Sequence, residues 1–154
     1  MITYEWRGDF TNAEVNALHA EAFGHQPGDD DWRAQLERHS LGWVCARDGG
    51  QLPGFVNVAW DGAGHAFILD TIVARRARHR GVGTGLVAEA VRQARAAGCE
   101  WLHVDFEAQL RPFYVGRCGF RPTDAGLIAL QAGRAARSAR AGGHAPGDAG
   151  GTRS

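Results

Sequence analysis

An arginine- and glycine-rich segment constrains the fold of this chain more than any other feature. Residues 78–85 read RHRGVGTG and lie between an apolar strand pattern that ends at Val73 and an amphipathic helix pattern that begins near Leu86. Closely spaced glycines let backbone N–H groups converge on one point, and the start of a helix adds partial positive charge. The segment therefore predicts an anion site, typically for phosphate. A tight strand-to-helix turn without a ligand is the simpler alternative.

Two familiar phosphate-binding loops do not match this segment. A P-loop needs a lysine after its last glycine, and all 17 basic residues of the chain are arginines. The dinucleotide-binding fingerprint needs the spacing G-x-G-x-x-G directly after a parallel strand. Here the glycines are spaced G-x-G-x-G, and the first of them, Gly81, lies eight residues beyond Val73. If the segment binds phosphate, it belongs to another kind of loop.

The hydrophobic pattern around the segment alternates between strand and helix periods. The capping box Thr11-Asn12-Ala13-Glu14 predicts the start of a first helix, and the acids at 29–31 predict the start of a second. Short turns between consecutive strands predict an antiparallel meander, and a strand, helix, strand order predicts a parallel crossover. The remaining elements are expected as strands over 2–7, 43–46, 55–60, 66–73 and 101–106, a short helix over 112–118, and two final short strands over 120–121 and 127–130.

Two motifs in this order resemble the GNAT superfamily of N-acetyltransferases. Its phosphate loop has the pattern R/Q-x-x-G-x-G/A, which Arg78, Gly81 and Gly83 match. Residues 113–120, FYVGRCGF, resemble the family's segment that begins Phe-Tyr and ends Gly-Phe. The resemblance covers about residues 2–130. It implies a single α/β domain with a mixed central sheet, an antiparallel meander, a βαβ crossover and flanking helices.

The resemblance also implies an activity and a cofactor site. The chain would transfer an acetyl group from acetyl-CoA to a primary amine of a small molecule, peptide or protein by direct attack, without a metal ion. A non-catalytic acyl-CoA-binding regulatory module on the same fold is the alternative. In the family, the pantetheine arm pairs with the fourth strand and the glycine loop holds the pyrophosphate. The cofactor-binding residues implied here are Ile72, Val73, Arg78, His79, Arg80, Gly81, Val82, Gly83 and Thr84.

The catalytic residues implied by the resemblance are a tyrosine acid and a carboxylate base. Tyr114 occupies the position of the family's usual general acid, which protonates the departing thiolate. The base is left open among four residues, with Glu107 and Asp70 ranked ahead of Asp105 and His103. The family often has asparagine where Glu107 falls. For each of the four, ordinary hydrogen bonding within the fold is the competing explanation.

Composition divides the chain into a domain and a tail. Residues 1–131 carry the apolar patterns, whereas residues 132–154 consist mainly of alanine, glycine and arginine and have too little apolar surface to form a core. The sequence predicts a flexible tail over 132–154, with a short helix as an option over 132–140.

Charge and cysteine content bound the location and the partners. No apolar stretch has the length of a membrane span, no signal-peptide pattern precedes the domain, and Cys45, Cys99 and Cys118 form no C-x-x-C pair. A cytoplasmic protein is expected. Residues 1–74 hold 11 acids and 4 arginines, residues 75–154 hold 6 acids and 13 arginines, and the pI is about 7.1. This balance argues against a nucleic-acid partner, while a homodimer is compatible with the sequence.

Overall fold

The structure, a computed structural model, describes residues 1–131. A single five-stranded sheet has the spatial order β1-β2-β3-β4-β5. Its strands are β1 (Thr3–Trp6), β2 (Ser40–Asp48), β3 (Gln51–Trp60), β4 (His65–Val73) and β5 (Trp101–His103). The helices are α1 (Asn12–Phe23), α2 (Trp32–His39) and α3 (Val82–Ala96), with short 3-10 turns over Arg75–Ala77 and Ala108–Leu110 and a π-helical turn over Pro112–Arg117. The predicted tail and its short helix, residues 132–154, lie outside the described residues.

The strand pairing confirms the predicted fold class. Strands β1 to β4 pair antiparallel with their neighbours, and β5 pairs parallel with β4 after the crossover through α3. The parallel pairing covers only three residues of each strand, from His65 opposite Trp101 to Phe67 opposite His103. Because β5 ends at His103, the second half of β4 pairs within residues 1–131 with β3 alone.

Local signals fix where the first two helices begin. The Thr11 side chain accepts from the Glu14 amide, and the Glu14 carboxylate accepts from the Thr11 amide at 2.8 Å, as the predicted capping box requires. Asp31 caps α2 by accepting from the Ala34 amide at 3.1 Å. These contacts satisfy helix N–H groups that would otherwise have no partner.

The helices cover both faces of the sheet. Neighbouring residues of β3 point to opposite faces, so each contacts a different layer of helices. Phe55 packs against Phe10 and Trp32, at ring-centroid distances of 5.7 and 6.3 Å, on the face covered by α1 and α2. On the other face, a Cβ on Gly54 would lie 2.9 Å from Val82 and 3.0 Å from Leu86 of α3. Fully burying an apolar side chain stabilises a fold by about 1.5–3 kcal/mol, so these two layers account for much of the folding free energy.

Two expectations about the C-terminal part of the domain are wrong. The strands expected over 120–121 and 127–130 are absent, since residues 120–130 form no strand, and Leu127, Ile128 and Leu130 are 73, 87 and 92% exposed. Pro122 has no N–H to donate to a ladder, and β5 ends at His103 instead of reaching residue 106, so only a short edge is available for pairing. Trp101 is 51% exposed because it lies on this edge strand.

Candidate active site

The predicted anion loop connects the end of β4 to α3. Gly81 precedes the first residue of α3 with a φ of 79°, in the left-handed region that glycine adopts without strain. No side chain at this position caps the helix, so its first N–H groups remain available to a ligand. The loop therefore has the backbone geometry that an anion site requires.

The loop forms one wall of a groove of about 320 Å³. The opposite wall comes from residues 109–117, the segment that carries the second motif. The two walls meet where Gly83 faces Phe113, since a Cβ on Gly83 would lie 3.1 Å from the Phe113 ring. The residues that line the groove are Val73, Ala77, Arg78, His79, Gly81, Val82, Gly83, Thr84, Gln109, Leu110, Pro112, Phe113 and Arg117.

Seven of the nine expected cofactor-binding residues line this groove. The other two do not: the Ile72 side chain is completely buried in the core, and Arg80 is exposed outside the lining. Ile72 therefore has only its backbone to offer a ligand. The lining residues contributed by 109–117 were not predicted individually, because nothing in the spacing of the two motifs shows that they fold against each other.

Arg78 is the partly buried arginine of the loop. Its Nε lies 3.5 Å from the Val73 carbonyl oxygen, which directs the side chain along the end of β4. Burial, and then the nearby Arg75 charge, lower the pKa of the Arg78 guanidinium, which nevertheless stays charged at neutral pH. The neighbouring Arg76 points elsewhere, donating to the Gln51 side chain at 2.7 Å. Arg78 is thus one of the two arginines that line the groove, and Arg117 on the opposite wall is the other.

A β-bulge interrupts β4 just before the groove. Phe55 pairs with Ile72 and Asn57 with Leu69, so the single residue between them on β3, Val56, faces both Asp70 and Thr71. Asp70 has a φ of 53°, a left-handed conformation that is costly for a residue with a side chain. A strained bulge of this kind re-aims side chains, and here it separates two consecutive polar residues.

Asp70 is a carboxylic acid in a mostly enclosed position. Burial raises its pKa from 3.8 to about 6, and a hydrogen bond from the Asn57 side chain acts in the opposite direction. A carboxyl group with a pKa near 6 is ionised at neutral pH yet is a stronger base than an exposed aspartate.

Tyr114 lies in the π-helical turn, with 1% of its surface exposed. Its ring stacks on Phe106 at a centroid distance of 5.0 Å and packs edge-on against Phe113 and Phe120. Burial raises its pKa to about 12, and the Thr71 hydroxyl opposes that shift. Thr71 is itself buried, and its contact with Tyr114 falls outside the geometry of a regular hydrogen bond. The phenol therefore keeps its proton at neutral pH.

The three other base candidates have different surroundings. The Glu107 carboxylate accepts from the Gln109 side chain, at the rim of the groove. His103 shares a 2.7 Å hydrogen bond with His65 and stacks on Phe67, on an exposed part of the sheet. Asp105 is close enough to Tyr114 for its charge to raise the tyrosine pKa. Of the four, Asp70 alone lies in the bulge.

Two polar residues of the site, Asn57 and Thr71, escaped the sequence analysis. Asn57 is 2% exposed and interrupts the otherwise apolar run of β3, and Thr71 interrupts the end of β4 in the same way. A polar residue at the buried position of a strand was the available signal.

Some of the acidic residues near the first two helices make structural contacts. Asp31 caps α2 and also accepts from Asn12, and Glu21 accepts from the Arg75 amide at 2.7 Å. A second depression, of about 450 Å³, lies near Glu14 and Arg47 and shares no lining residue with the groove. Glu14 and Arg47 are paired at 2.7 Å, so this depression contains an internal ion pair.

Two features are absent from residues 1–131. No group of three or more His, Cys, Asp or Glu side chains in this part of the chain is arranged to hold a metal ion. None of the helices described there combines the length and apolar character needed to cross a bilayer.

Comparisons with known proteins agree with this architecture. No curated protein sequence matches the chain. Among solved structures, a probable acetyltransferase from meticillin-resistant Staphylococcus aureus has a TM-score of 0.70 and 19% identity, covering 85% of this chain and 99% of that one. AAC(6')-Iy in complex with the bisubstrate analog CoA-S-monomethyl-acetylneamine has a TM-score of 0.66 and 18% identity, covering 85% and 98%. Glucosamine-6-phosphate N-acetyltransferase from Arabidopsis thaliana has a TM-score of 0.66 and 14% identity, covering 83% and 98%.

At these identities the structural likeness shows a common fold. The sequence itself shows the family, because the profile of the acetyltransferase (GNAT) family matches residues 3–120, which is most of the described domain. The match includes the glycine loop, the bulged strand and the segment that carries Tyr114. The chain therefore belongs to the acetyltransferase (GNAT) family.

Proposed function

We propose that this protein is an N-acetyltransferase that transfers the acetyl group of acetyl-CoA to a primary amine. The observation that carries the proposal is the position of the groove relative to the bulge. Val73 lines the groove, and Asp70 and Thr71 lie two to three residues before it on the same strand. A cofactor in the groove would thus end beside a partly buried carboxylate and a buried phenol.

The residues of the groove fit the phosphates and the arm of acetyl-CoA. The left-handed Gly81 and the uncapped start of α3 offer backbone N–H groups to a pyrophosphate, and Arg78 adds a positive charge. Within residues 1–131 the second half of β4 pairs with β3 alone, so its other edge, beside Ile72 and Val73, is open to the pantetheine amides. Acetyl-CoA itself supplies the reactive thioester.

The proton transfers follow from the two perturbed groups. The acceptor nitrogen attacks the thioester carbonyl, forming a C–N bond, and Asp70 takes a proton from the nitrogen. As the C–S bond breaks, Tyr114 gives its proton to the departing sulfur. A base with a pKa of about 6 and an acid with a pKa of about 12 are in the correct protonation states at neutral pH.

The cysteines support direct attack over an acyl-cysteine intermediate. Burial raises the pKa of Cys45 to about 12 and that of Cys118 to about 11, so both remain thiols at neutral pH. The thiolate is the nucleophilic form of cysteine, and neither residue supplies it under these conditions. The acceptor amine is then the only nucleophile that the reaction needs.

The acceptor would approach from the side of the bulge opposite the groove. Phe67 and Leu69 are 39 and 36% exposed on the strand that leads to Asp70, and they offer an apolar surface beside the base. Asp29 and Asp30 of the α1–α2 connection are exposed, so their negative charges are accessible to a cationic acceptor. The AAC(6')-Iy and glucosamine-6-phosphate N-acetyltransferase structures support amine acceptors in proteins of this fold. A small molecule, a peptide and a protein amine all fit this description.

A screen of amines with acetyl-CoA tests the proposal. Release of the free CoA thiol is followed for wild type and for Asp70→Asn, with reactions lacking an amine as the blank. We expect amine-dependent release by wild type and a large loss in the variant. Acetyl-CoA that raises the melting temperature without turnover for any amine would favour the non-catalytic acyl-CoA-binding module. The proposed setting is a cytoplasmic protein that acts alone or as a homodimer.

A further inference from the structure

Asn57 occupies a position where an amide is costly unless both of its ends are bonded. It lies on β3 among completely buried neighbours, Phe55, Val56 and Val58, and is itself 2% exposed. A valine would pack there without any polar group to satisfy, and a buried amide is tolerated only with hydrogen-bond partners. Ser40 Oγ bonds the amide oxygen of Asn57. Asn57 also lies opposite Leu69, the residue before Asp70, and lowers the pKa of Asp70.

The Asp70 carboxylate, which only accepts, and the Ser40 hydroxyl, which can donate, together determine which way the amide faces. Ser40 Oγ donates to Asn57 Oδ1 at 2.5 Å. The carbonyl end of the amide is thereby occupied, and the Nδ2 end is left to donate toward the Asp70 carboxylate. The reversed amide would place its oxygen against the carboxylate oxygens, with no hydrogen between them. Ser40 is also the residue at which α2 ends and β2 begins, so the chain of contacts is anchored in two elements.

We propose that Asn57 is a positioning residue for Asp70, and that Ser40 binds the amide oxygen of Asn57 so that its N–H groups are left to the base. The inference rests on the proposed role of Asp70 as the base. The amide holds the carboxylate on the strained bulge and favours its ionised form, and the acceptor proton then has a fixed destination. Among residues 1–131, burial and Asn57 are the causes that shift the pKa of Asp70, and no charged side chain contributes.

The test measures the pKa of Asp70 without relying on turnover. Carbon-13 NMR of the aspartate carboxyl carbons is recorded against pH, and the resonance missing in Asp70→Asn assigns the group. In Asn57→Ala the pKa of Asp70 should rise by about one unit, since a hydrogen bond to the charged form is lost. In Ser40→Ala it should rise by less, because the amide is free to rotate but still present.

Asn16→Ala is the matched control. Asn16 is also buried, at 5% exposure, and also has two partners, Trp32 Nε1 at 3.1 Å and the Asp30 carbonyl oxygen at 3.0 Å, but it makes no contact with Asp70. Its replacement should leave the pKa of Asp70 unchanged. If Asn57→Ala fails to fold, the milder Ser40→Ala carries the test.

The kcat profile supplies the second measurement. Its rising limb should move to higher pH in Asn57→Ala by the same amount as the NMR titration, so the loss of turnover shrinks as the pH is raised. An unchanged Asp70 pKa in both Asn57→Ala and Ser40→Ala, or a loss of turnover that is equal at every pH, overturns the positioning role. Full turnover by Asp70→Asn instead overturns the base assignment beneath it, so the two failures are distinct.

Discussion

Asp70 and Thr71 are consecutive residues, yet the bulge in β4 sends their side chains to different partners. Asp70 meets Asn57 of β3, and Thr71 meets Tyr114 of the π-helical turn. In a regular strand only one residue would face Val56, and the two contacts would not occur side by side. The bulge therefore places a candidate base directly before a residue that contacts a candidate acid.

We predict that Tyr114→Phe lowers kcat by about 10²–10⁴-fold, the usual contribution of general acid catalysis. Acetyl-CoA affinity should change far less, because the change removes one hydroxyl and little volume. Tyr4→Phe is the matched control, since Tyr4 is the other tyrosine of the chain and packs against Gly85 away from the groove. Single-turnover kinetics with both variants make the comparison. Wild-type turnover in Tyr114→Phe would remove the tyrosine from the mechanism.

The pH dependence of kcat should rise through about pH 6 and stay level into strongly basic solution. Asp70 loses its proton near pH 6, and Tyr114 keeps its proton until about pH 12. The limb at pH 6 should be the same for acceptors of different amine pKa and should disappear in Asp70→Asn. Glu107→Gln should keep it. If the limb disappears in Glu107→Gln and persists in Asp70→Asn, then Glu107 is the base and Asp70 is not.

Asp70→Asn should also stabilise the protein at neutral pH. The folded-state pKa of Asp70, about 6, lies above its ordinary value of 3.8, so folding disfavours the ionised form. This penalty is absent below about pH 4, grows as the pH rises to 6, and is complete above pH 6. We expect the free energy of unfolding of the variant to exceed that of wild type by about 1–3 kcal/mol at pH 8 and to equal it near pH 4. Urea unfolding at the two pH values measures both differences. A stabilisation that does not depend on pH would show that Asp70 is not destabilised by its charge.

Gly81→Ala and Gly98→Ala separate backbone strain from cofactor binding. Both glycines are left-handed, with φ of 79° and 85°, and a Cβ at either position meets no atom within 4 Å. Each variant should lose about 1–2 kcal/mol of stability, the cost of that conformation for an L-residue. Only Gly81 lines the groove, so only Gly81→Ala should weaken acetyl-CoA binding, as calorimetry can show. Equal weakening by both would assign the effect to stability alone.

Sequence reasoning reached the fold because its signals are local. The capping box at Thr11, the glycine loop at 78–85 and the apolar face of α3 each act within a few residues, and the structure has all three. The final strands failed because pairing is a long-range property. The apolar run Leu127–Leu130 has strand composition, but three residues of β5 and Pro122 leave it without a ladder to join.

The predictions about the site show the same difference between local signals and long-range contacts. The glycine spacing was enough to predict the loop wall of the groove, whereas its second wall depends on Phe113 folding against Gly83, a contact between residues 30 positions apart. The choice between Asp70 and Glu107 depends on burial and on a bulge, neither of which a single sequence displays. Asn57 and Ser40 were missed for the same reason, since their importance lies in what they touch.

Calorimetric titration of acetyl-CoA is the most direct test of the groove as a cofactor site. Wild type should bind one equivalent, and Asp70→Asn and Tyr114→Phe should bind with similar Kd, because neither residue lines the groove. Arg78→Ala should weaken binding, while Arg76→Ala, which removes an equal charge bonded to Gln51, should not. Gly83→Val should abolish it, because the added side chain collides with Phe113 and fills the groove. Absence of binding by wild type, or equal binding by wild type and Gly83→Val, would contradict the assignment of this groove to acetyl-CoA.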